Sequence, residues 1–208
     1  MSSSPLVATP SAAPRGVPEA PAETTRRHLS DRQAATVQRL VDAALEELRD
    51  GGYDGLTVRN VARRAEVAPA TAYTYFGSRE HLVTEMFWRR LAAMDDTPFA
   101  AGASPSERAA ATLRDLALLV ADEPQLAAAC TVAMMAPAPD VALLRDRIGA
   151  EMHRRLVVAV GEDQDPAIVR ALDLTVSGAL VHAGTGHLAY RDLPARLAEV
   201  AELVMGER

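Results

Sequence analysis

The chain has 208 residues, enough for one or two domains with a buried core. Hydrophobic residues make up 49% of it, aromatics are few and Ala and Leu abound, a balance that favours packed helices over sheets. Its lone cysteine, Cys130, excludes an intrachain disulfide, and a net charge of −6 argues against a uniformly basic nucleic-acid coat.

The charge is unevenly divided. From Arg26 to Arg90 there are 11 Arg against 9 acids, and the remainder carries 11 Arg against 19, so the front is basic and the back acidic. All 22 basic residues are arginine, which points to a GC-rich coding bias. No N-terminal stretch has the charged start and continuous apolar core of a signal peptide, so a cytoplasmic location is expected.

Met1 to about Leu29 holds five of the 13 prolines among Ser, Ala and Thr and is expected to be a disordered arm, residues 1–29. Arg26, Arg27 and His28 at its end stand where an arm can reach the minor groove of DNA; a solvated tail is the alternative. Ser30 with Gln33 three residues on forms a capping box for a first helix, with Val37, Leu40, Val41, Ala44, Leu45 and Leu48 on one face, ended by Gly51-Gly52. Thr57 is an N-cap for a short basic helix carrying Arg59, Arg63 and Arg64 opposite Val58, Val61, Ala62 and Ala65. Glu66-Val67-Ala68 is a turn, Pro69 opens a second short helix through Phe76, and Gly77 with Ser78 separates it from a third. Two short helices and a three-residue turn make a helix-turn-helix, whose second helix fits a DNA major groove. Small residues at Ala68, Ala70 and Thr71 allow close approach, and the hydroxyls of Thr71, Tyr73, Thr74 and Tyr75 reach bases or phosphates, with Arg59 and Arg79 on either side.

The run TVRNVARRAEVAPATAYTYFGSREHL resembles the N-terminal domain of the tetracycline-repressor (TetR) family, whose pattern is roughly T-x-x-x-[IV]-A-x-x-[AL]-G-V-S-x-x-[TA]-[LIF]-Y-x-[YH]-F-x-[SN]-K-x-x-L. Four positions depart from it. Glu66 stands at the turn glycine, so a positive φ there costs about 1 kcal/mol. Ala68 replaces the usual serine cap, Ala72 a larger apolar residue, and Arg79 a lysine. With the resemblance, the DNA-binding candidates are Thr57, Arg59, Pro69, Ala70, Thr71, Tyr73, Thr74, Tyr75 and Arg79: Arg59, Thr71, Tyr73 and Thr74 for base edges, and Thr57, Tyr75 and Arg79 for phosphate. An ordinary helical corner in a core is the bland alternative.

Ser78 opens a connecting helix to about Met94, with Leu82, Met86, Phe87, Leu91 and Met94 inward and Trp88 alongside; the resemblance implies that it carries ligand-induced motion. A loop over Asp95 to Ala103 leads to the capping box Ser104-Pro105-Ser106-Glu107 and a helix with Leu113, Leu116, Ala117 and Val120 inward, until Pro124. The next helix, Gln125 to Met135, is smooth and apolar and suits an adaptable cavity wall, with ordinary packing as the alternative. A helix from Asp140 to about Val160 places Arg145, Arg147, Arg154 and Arg155 outward; one of them could meet an anionic head group, and the sequence does not choose which. A long helix runs from Asp165-Pro166 to Tyr190; its uncharged run, Leu174 to Tyr190, has 17 residues and includes Thr175, Ser177, His182, Thr185 and His187, so it falls short of a membrane span, and a last helix starts at Asp192-Pro194. Gly178, Gly184 and Gly186 imply a close backbone approach or a kink. The resemblance implies that the last two helices form a homodimer interface.

The expected fold is therefore all-α: a helix-turn-helix DNA-binding domain over residues 30–77 and a helical ligand-binding and dimerisation domain over residues 78–208. Candidate ligand-binding residues are Phe87, Trp88, Leu91, Leu116, Val120, Cys130, Met134 and His182. The expected function is a homodimeric repressor of a palindromic double-stranded operator, released by a small apolar or amphipathic effector. A protein-binding adaptor, or an activator of the same family, is the alternative. Catalysis finds no support: the five histidines include no HExxH pair and no i,i+4 couple, so no catalytic residue, metal or cofactor is expected, and no membrane partner.

Overall fold

The structure, a computed structural model, describes residues 22–206, with side chains from Asp31 onward. All regular structure among the described residues is helical: α1 (Ala22–Gly55), α2 (Val58–Arg64), α3 (Pro69–Tyr75), α4 (Arg79–Ala93), α5 (Pro105–Leu118), α6 (Pro124–Ala133), α7 (Pro139–Val160), α8 (Pro166–Gly184) and α9 (Leu193–Met205), with a 3-10 turn at Tyr190–Asp192. The fold is all-α. The described residues divide into two compact units, 22–35 and 36–206. The described part of the first is the opening of α1; the second holds the rest of α1 and every other helix.

The helix starts follow from local chemistry. Thr57, Ser78 and Ser104 accept the backbone N–H of Asn60, His81 and Glu107, and Ser104 with Glu107 forms a complete capping box. Prolines stand in the first turns of α3 and α5 to α9, where a missing N–H costs nothing. Leu40, Ala44 and Leu48 from α1 join Leu56, Val61, Phe76, Leu82, Phe87 and Leu91 in a core that continues through Leu113, Leu116, Leu126, Leu156, Leu172 and Leu197. Helix α4 packs on α6 and α7, and α5 on α7 and α9. Fully burying one such leucine stabilises the fold by about 1.5–3 kcal/mol.

The structure differs from the sequence expectations at four places. First, α1 begins at Ala22, so Ser30 lies inside a helix instead of capping one, and Arg26-Arg27-His28 are helical in place of an extended arm. Residues 1–21 of the expected disordered arm lie outside the described residues. Second, the chain breaks at Gly52 (φ 63°, ψ −171°) as the glycine pair implies, but a further helical turn follows it to Gly55. Third, α8 stops at Gly184, short of Tyr190. Gly186 takes φ +78° and donates to the Ala183 carbonyl while His187 N–H reaches His182, which is a Schellman closure. Fourth, Arg155 is buried, not outward: its guanidinium donates to the carbonyls of Met94 (2.7 Å) and Asp95 (2.9 Å) and to Glu151 (2.8 Å). Met94 and Asp95 follow the last turn of α4, so Arg155 supplies donors to the chain as it leaves that helix, and its Nη2 also lies 3.4 Å from Leu91 O.

The three glycines separate by role. Gly186 supplies the positive φ, whereas Gly184 supplies space: a Cβ there would meet Thr131 Oγ1 on α6 at 1.7 Å. Nothing described approaches Gly178 within 4 Å. Gly184→Ala must therefore push α6 and α8 apart, and a loss of about 1–3 kcal/mol is expected. An unchanged melting temperature in a thermal unfolding scan would contradict that close approach.

Candidate nucleic-acid interface and effector cavity

Helix α2 ends in a second Schellman closure. Val67 N–H donates to Ala62 (2.9 Å) and Glu66 N–H to Arg63 (3.2 Å), which requires the left-handed backbone at Glu66 (φ 54°). That is the conformation expected of a glycine at this turn. The recognition-type helix α3 then begins at Ala68, which has no side chain to cap it. Its inner side rests on fully buried Ala72 and on Phe76, while Ala68, Pro69, Ala70, Thr71, Tyr73 and Thr74 are all exposed. Tyr73 is 52% exposed, an unusual placement for an aromatic ring on a small helix.

The candidate DNA contacts fall into two groups. Thr57, Arg59, Pro69, Ala70, Thr71, Tyr73 and Thr74 are all exposed, and Arg59 makes no ion pair or hydrogen bond with any described residue. Thr74 Oγ1 donates back to Ala70 O at 3.0 Å. Tyr75 is half-buried and packs against the core. Arg79 is committed: its guanidinium lies 4.3 Å from the Tyr53 ring centroid and donates to Tyr53 O and to Glu80, both at 3.1 Å. Glu80 in turn accepts the Tyr53 hydroxyl at 2.9 Å, and burial with this bond pushes the phenol up to about 12. Arg63 was missed by the sequence list: it is exposed, makes no ion pair with a described residue, and lies one turn from Arg59. That i,i+4 spacing was the available signal. Arg64 is engaged elsewhere, with Glu47 (2.7 Å) and Asp50 (2.5 Å) of α1.

A cavity of about 260 Å³ lies among α4, α6, α7 and α8. Phe87, Val120, Cys130 and Met134 of the ligand candidates line it; Trp88, Leu91, Leu116 and His182 do not. Leu91 and Leu116 are sealed in the core, and His182 stands on the outward stripe of α8 with Leu174 and Gly178, each four residues apart. Ala127, Thr131, Met135, Arg145, Ile148, Gly149, Met152, Ser177, Leu180, Val181 and Tyr190 complete the lining. Periodicity gives the inward face of a helix, but a position's membership in a cavity wall depends on the neighbouring helix. Burial pushes the Cys130 thiol up to about 12, so it is a neutral wall group and not a nucleophile.

Polar junctions tie the cavity walls to the front helices. Glu123, the residue before α6, is buried and accepts from Arg49 of α1 through both carboxylate oxygens. Arg90 of α4 donates to Leu119 O (3.3 Å) and Asp122 (3.0 Å) and lies 3.9 Å from Glu123. The Arg49 hydrogen bonds hold the Glu123 carboxyl below its ordinary value. No group of three or more metal-ligating side chains occurs among the described residues.

The sequence profile of bacterial regulatory proteins of the tetR family matches residues 40–86, which span the end of α1 through α4. An uncharacterized HTH-type transcriptional regulator of Mycobacterium tuberculosis is 44% identical over 210 residues, covering 99% of this chain and 94% of its own. This chain belongs to the tetR family. The HTH-type transcriptional repressor KstR of Rhodococcus jostii is 30% identical over 184 residues, 86% of each chain. Among solved structures, a TetR transcriptional regulator from Rhodococcus sp. RHA1 superposes with a TM-score of 0.70 at 19% identity, over 86% of this chain and 99% of that one, a likeness of fold. As a member of the tetR family the chain is a transcription regulator and not an enzyme.

Two outcomes test the geometry of these sites. Glu66→Gly relieves the left-handed strain and Ala68→Ser supplies the missing cap, so each is expected to raise stability by about 1 kcal/mol, read as a rise in the urea midpoint. Because the Glu123 carboxyl is depressed in the fold, its contribution is complete above its ordinary value of 4.5 and lost as pH falls through the lower one. The acid limb of wild-type stability is therefore expected to be steeper than that of Glu123→Gln, and superimposable limbs would contradict the Arg49–Glu123 junction.

Proposed function

We propose that this tetR-family regulator is a cytoplasmic homodimeric repressor, with residues 30–77 reading a near-palindromic operator and residues 78–208 binding a small apolar or amphipathic effector. The observation that carries the reading is the outer surface of α3: six exposed small or hydroxyl-bearing positions over one buried alanine, beside two exposed arginines, Arg59 and Arg63, free of described partners. Small residues let backbone approach base edges, hydroxyls and Tyr73 reach groove and phosphate groups, and the guanidinium pair supplies charge. Arg79 acts one step back, holding the start of α4 against Tyr53, and Tyr75 packs against the core.

Dimerisation through α8 and α9 is supported by what they leave uncovered. Contrary to the reading of its uncharged run in the sequence, α8 is by length and composition long and apolar enough for a membrane span, and little of it is buried; Leu174 is 76% exposed and Leu203 of α9 64%. Small Gly178 beside Leu174 suits close packing of a second copy. Two copies so joined present two α3 helices to successive major grooves.

Release follows from the junctions. Helix α6 forms one cavity wall, and its first turn is tied through Glu123 to α1; α7 forms another and holds the end of α4 through Arg155. An effector that shifts α6 or α7 changes the anchoring of α1 and α4, and with it the placement of α3.

The test is selection of binding sites from genomic fragments by the purified full-length protein at two salt concentrations. A palindromic site is expected. Arg63→Ala should weaken binding to it and lower the salt slope by about 1, the signature of one lost phosphate contact. Leu174→Glu with Leu203→Glu should yield a folded monomer by sedimentation, with operator affinity reduced by more than tenfold. A dimer that persists in that double variant would contradict the α8–α9 interface.

A further inference from the structure

We infer that the cavity selects an anionic amphiphile, a carboxylate with a compact apolar body, through Arg145 at its rim; the inference rests on the cavity being the effector site. Of the four arginines on α7, Arg154 and Arg155 are both bound to Glu151, and Arg147 does not face the cavity. Arg145 lines it. Among the described residues, no carboxylate and no other charged side chain does so.

The geometry fixes where the charge meets the ligand. Arg145 Nη1 donates to the carbonyls of Met134 (2.6 Å) and Ala136 (3.4 Å), at the end of α6, which anchors the guanidinium at the α6–α7 corner. Nε and Nη2 have no hydrogen bond to a described residue and remain available as a fork for a carboxylate. Below this point the wall is apolar: Phe87, Ile148 and Met152, with Cys130 a neutral thiol and Thr131 donating its hydroxyl to Ala127 O. The hydroxyls of Ser177 and Tyr190 in the lining can bond a neutral head, whereas the guanidinium is the one charged group there among the described residues; it binds an anion more strongly than a neutral oxygen and offers nothing to a cation.

Size adds a second constraint. A volume of about 260 Å³ lies just under the lower end of ligand pockets, roughly 300 Å³. A medium acyl chain or a small ring system fits such a space. Gly149, one turn beyond Arg145 on α7, lines the cavity with nothing within 4 Å of a Cβ, so the wall there is open and a side chain would project into free space. Binding at Arg145 also reaches the response element: a carboxylate drawn to this guanidinium acts on the group that holds the end of α6.

The experiment uses the full-length protein with decanoate and 1-decanol as paired probes, titrated calorimetrically against wild type, Arg145→Gln and Gly149→Leu. Wild type is expected to bind decanoate at least about tenfold more tightly than 1-decanol, the worth of a charge-assisted hydrogen bond. Arg145→Gln should remove that difference and leave 1-decanol unchanged, and Gly149→Leu should weaken both. Equal affinity for the two probes, decanoate affinity unmoved by Arg145→Gln, or no decanoate binding overturns the anion selectivity. If both probes bind equally and both are blocked by Gly149→Leu, the cavity remains the effector site with a neutral ligand. If both bind undiminished to Gly149→Leu, the cavity is not their site and the effector reading fails with the inference.

Discussion

Seven residues do not hold a helix in water, and the surface proposed to read DNA consists of two such helices, α2 and α3. Every other feature of the front of the chain answers that constraint. Thr57 caps α2, the left-handed Glu66 closes it, and Arg64 ties its last turn to Glu47 and Asp50 of α1. Helix α3 has no such cap; it is held by Ala72 and Phe76 against the core and by its short connection to α4. The outer face of α3 is therefore free to be small and polar because none of its stability comes from that face.

The same logic extends along α4. Its start is fixed by Arg79, Glu80 and Tyr53, and its end by the buried guanidinium of Arg155 from α7. Arg49, Arg90 and Glu123 make a third fixed point where α6 begins. These are directional, distance-sensitive contacts between helices that otherwise meet through apolar side chains, which tolerate sliding. On the proposed reading, a displacement of the cavity walls is transmitted at these three points and absorbed elsewhere.

The sequence carried the parts of this account that depend on local spacing. Caps at Thr57, Ser78 and Ser104 and the helix starts marked by Pro69, Pro105, Pro166 and Pro194 are decided within a few residues and were legible, whereas the positive φ at Glu66 was suggested only by the resemblance, which has a glycine there. The extent of α1 was not, since Ser30 and Gln33 satisfy a capping pattern whether or not the helix continues upstream. The end of α8 was hidden because Gly184 and Gly186 look alike in sequence, although one makes room for Thr131 and the other turns the chain. Arg155 and Arg145 share one helix with Arg147 and Arg154; burial of one at the end of α4 and placement of another at the cavity rim come from helices distant in sequence. His182 and Leu116 failed as cavity candidates for the same reason: periodicity gives a face and not the neighbour that the face meets.

The account stands or falls on α3 being the reading element, and a structure of the full-length protein on the DNA site it selects tests this most directly. The account predicts two copies joined through α8 and α9, with Pro69, Thr71 and Tyr73 of each in successive major grooves about 34 Å apart and Arg59 and Arg63 on the flanking phosphates or bases. A complex in which α3 faces away from the duplex would contradict it.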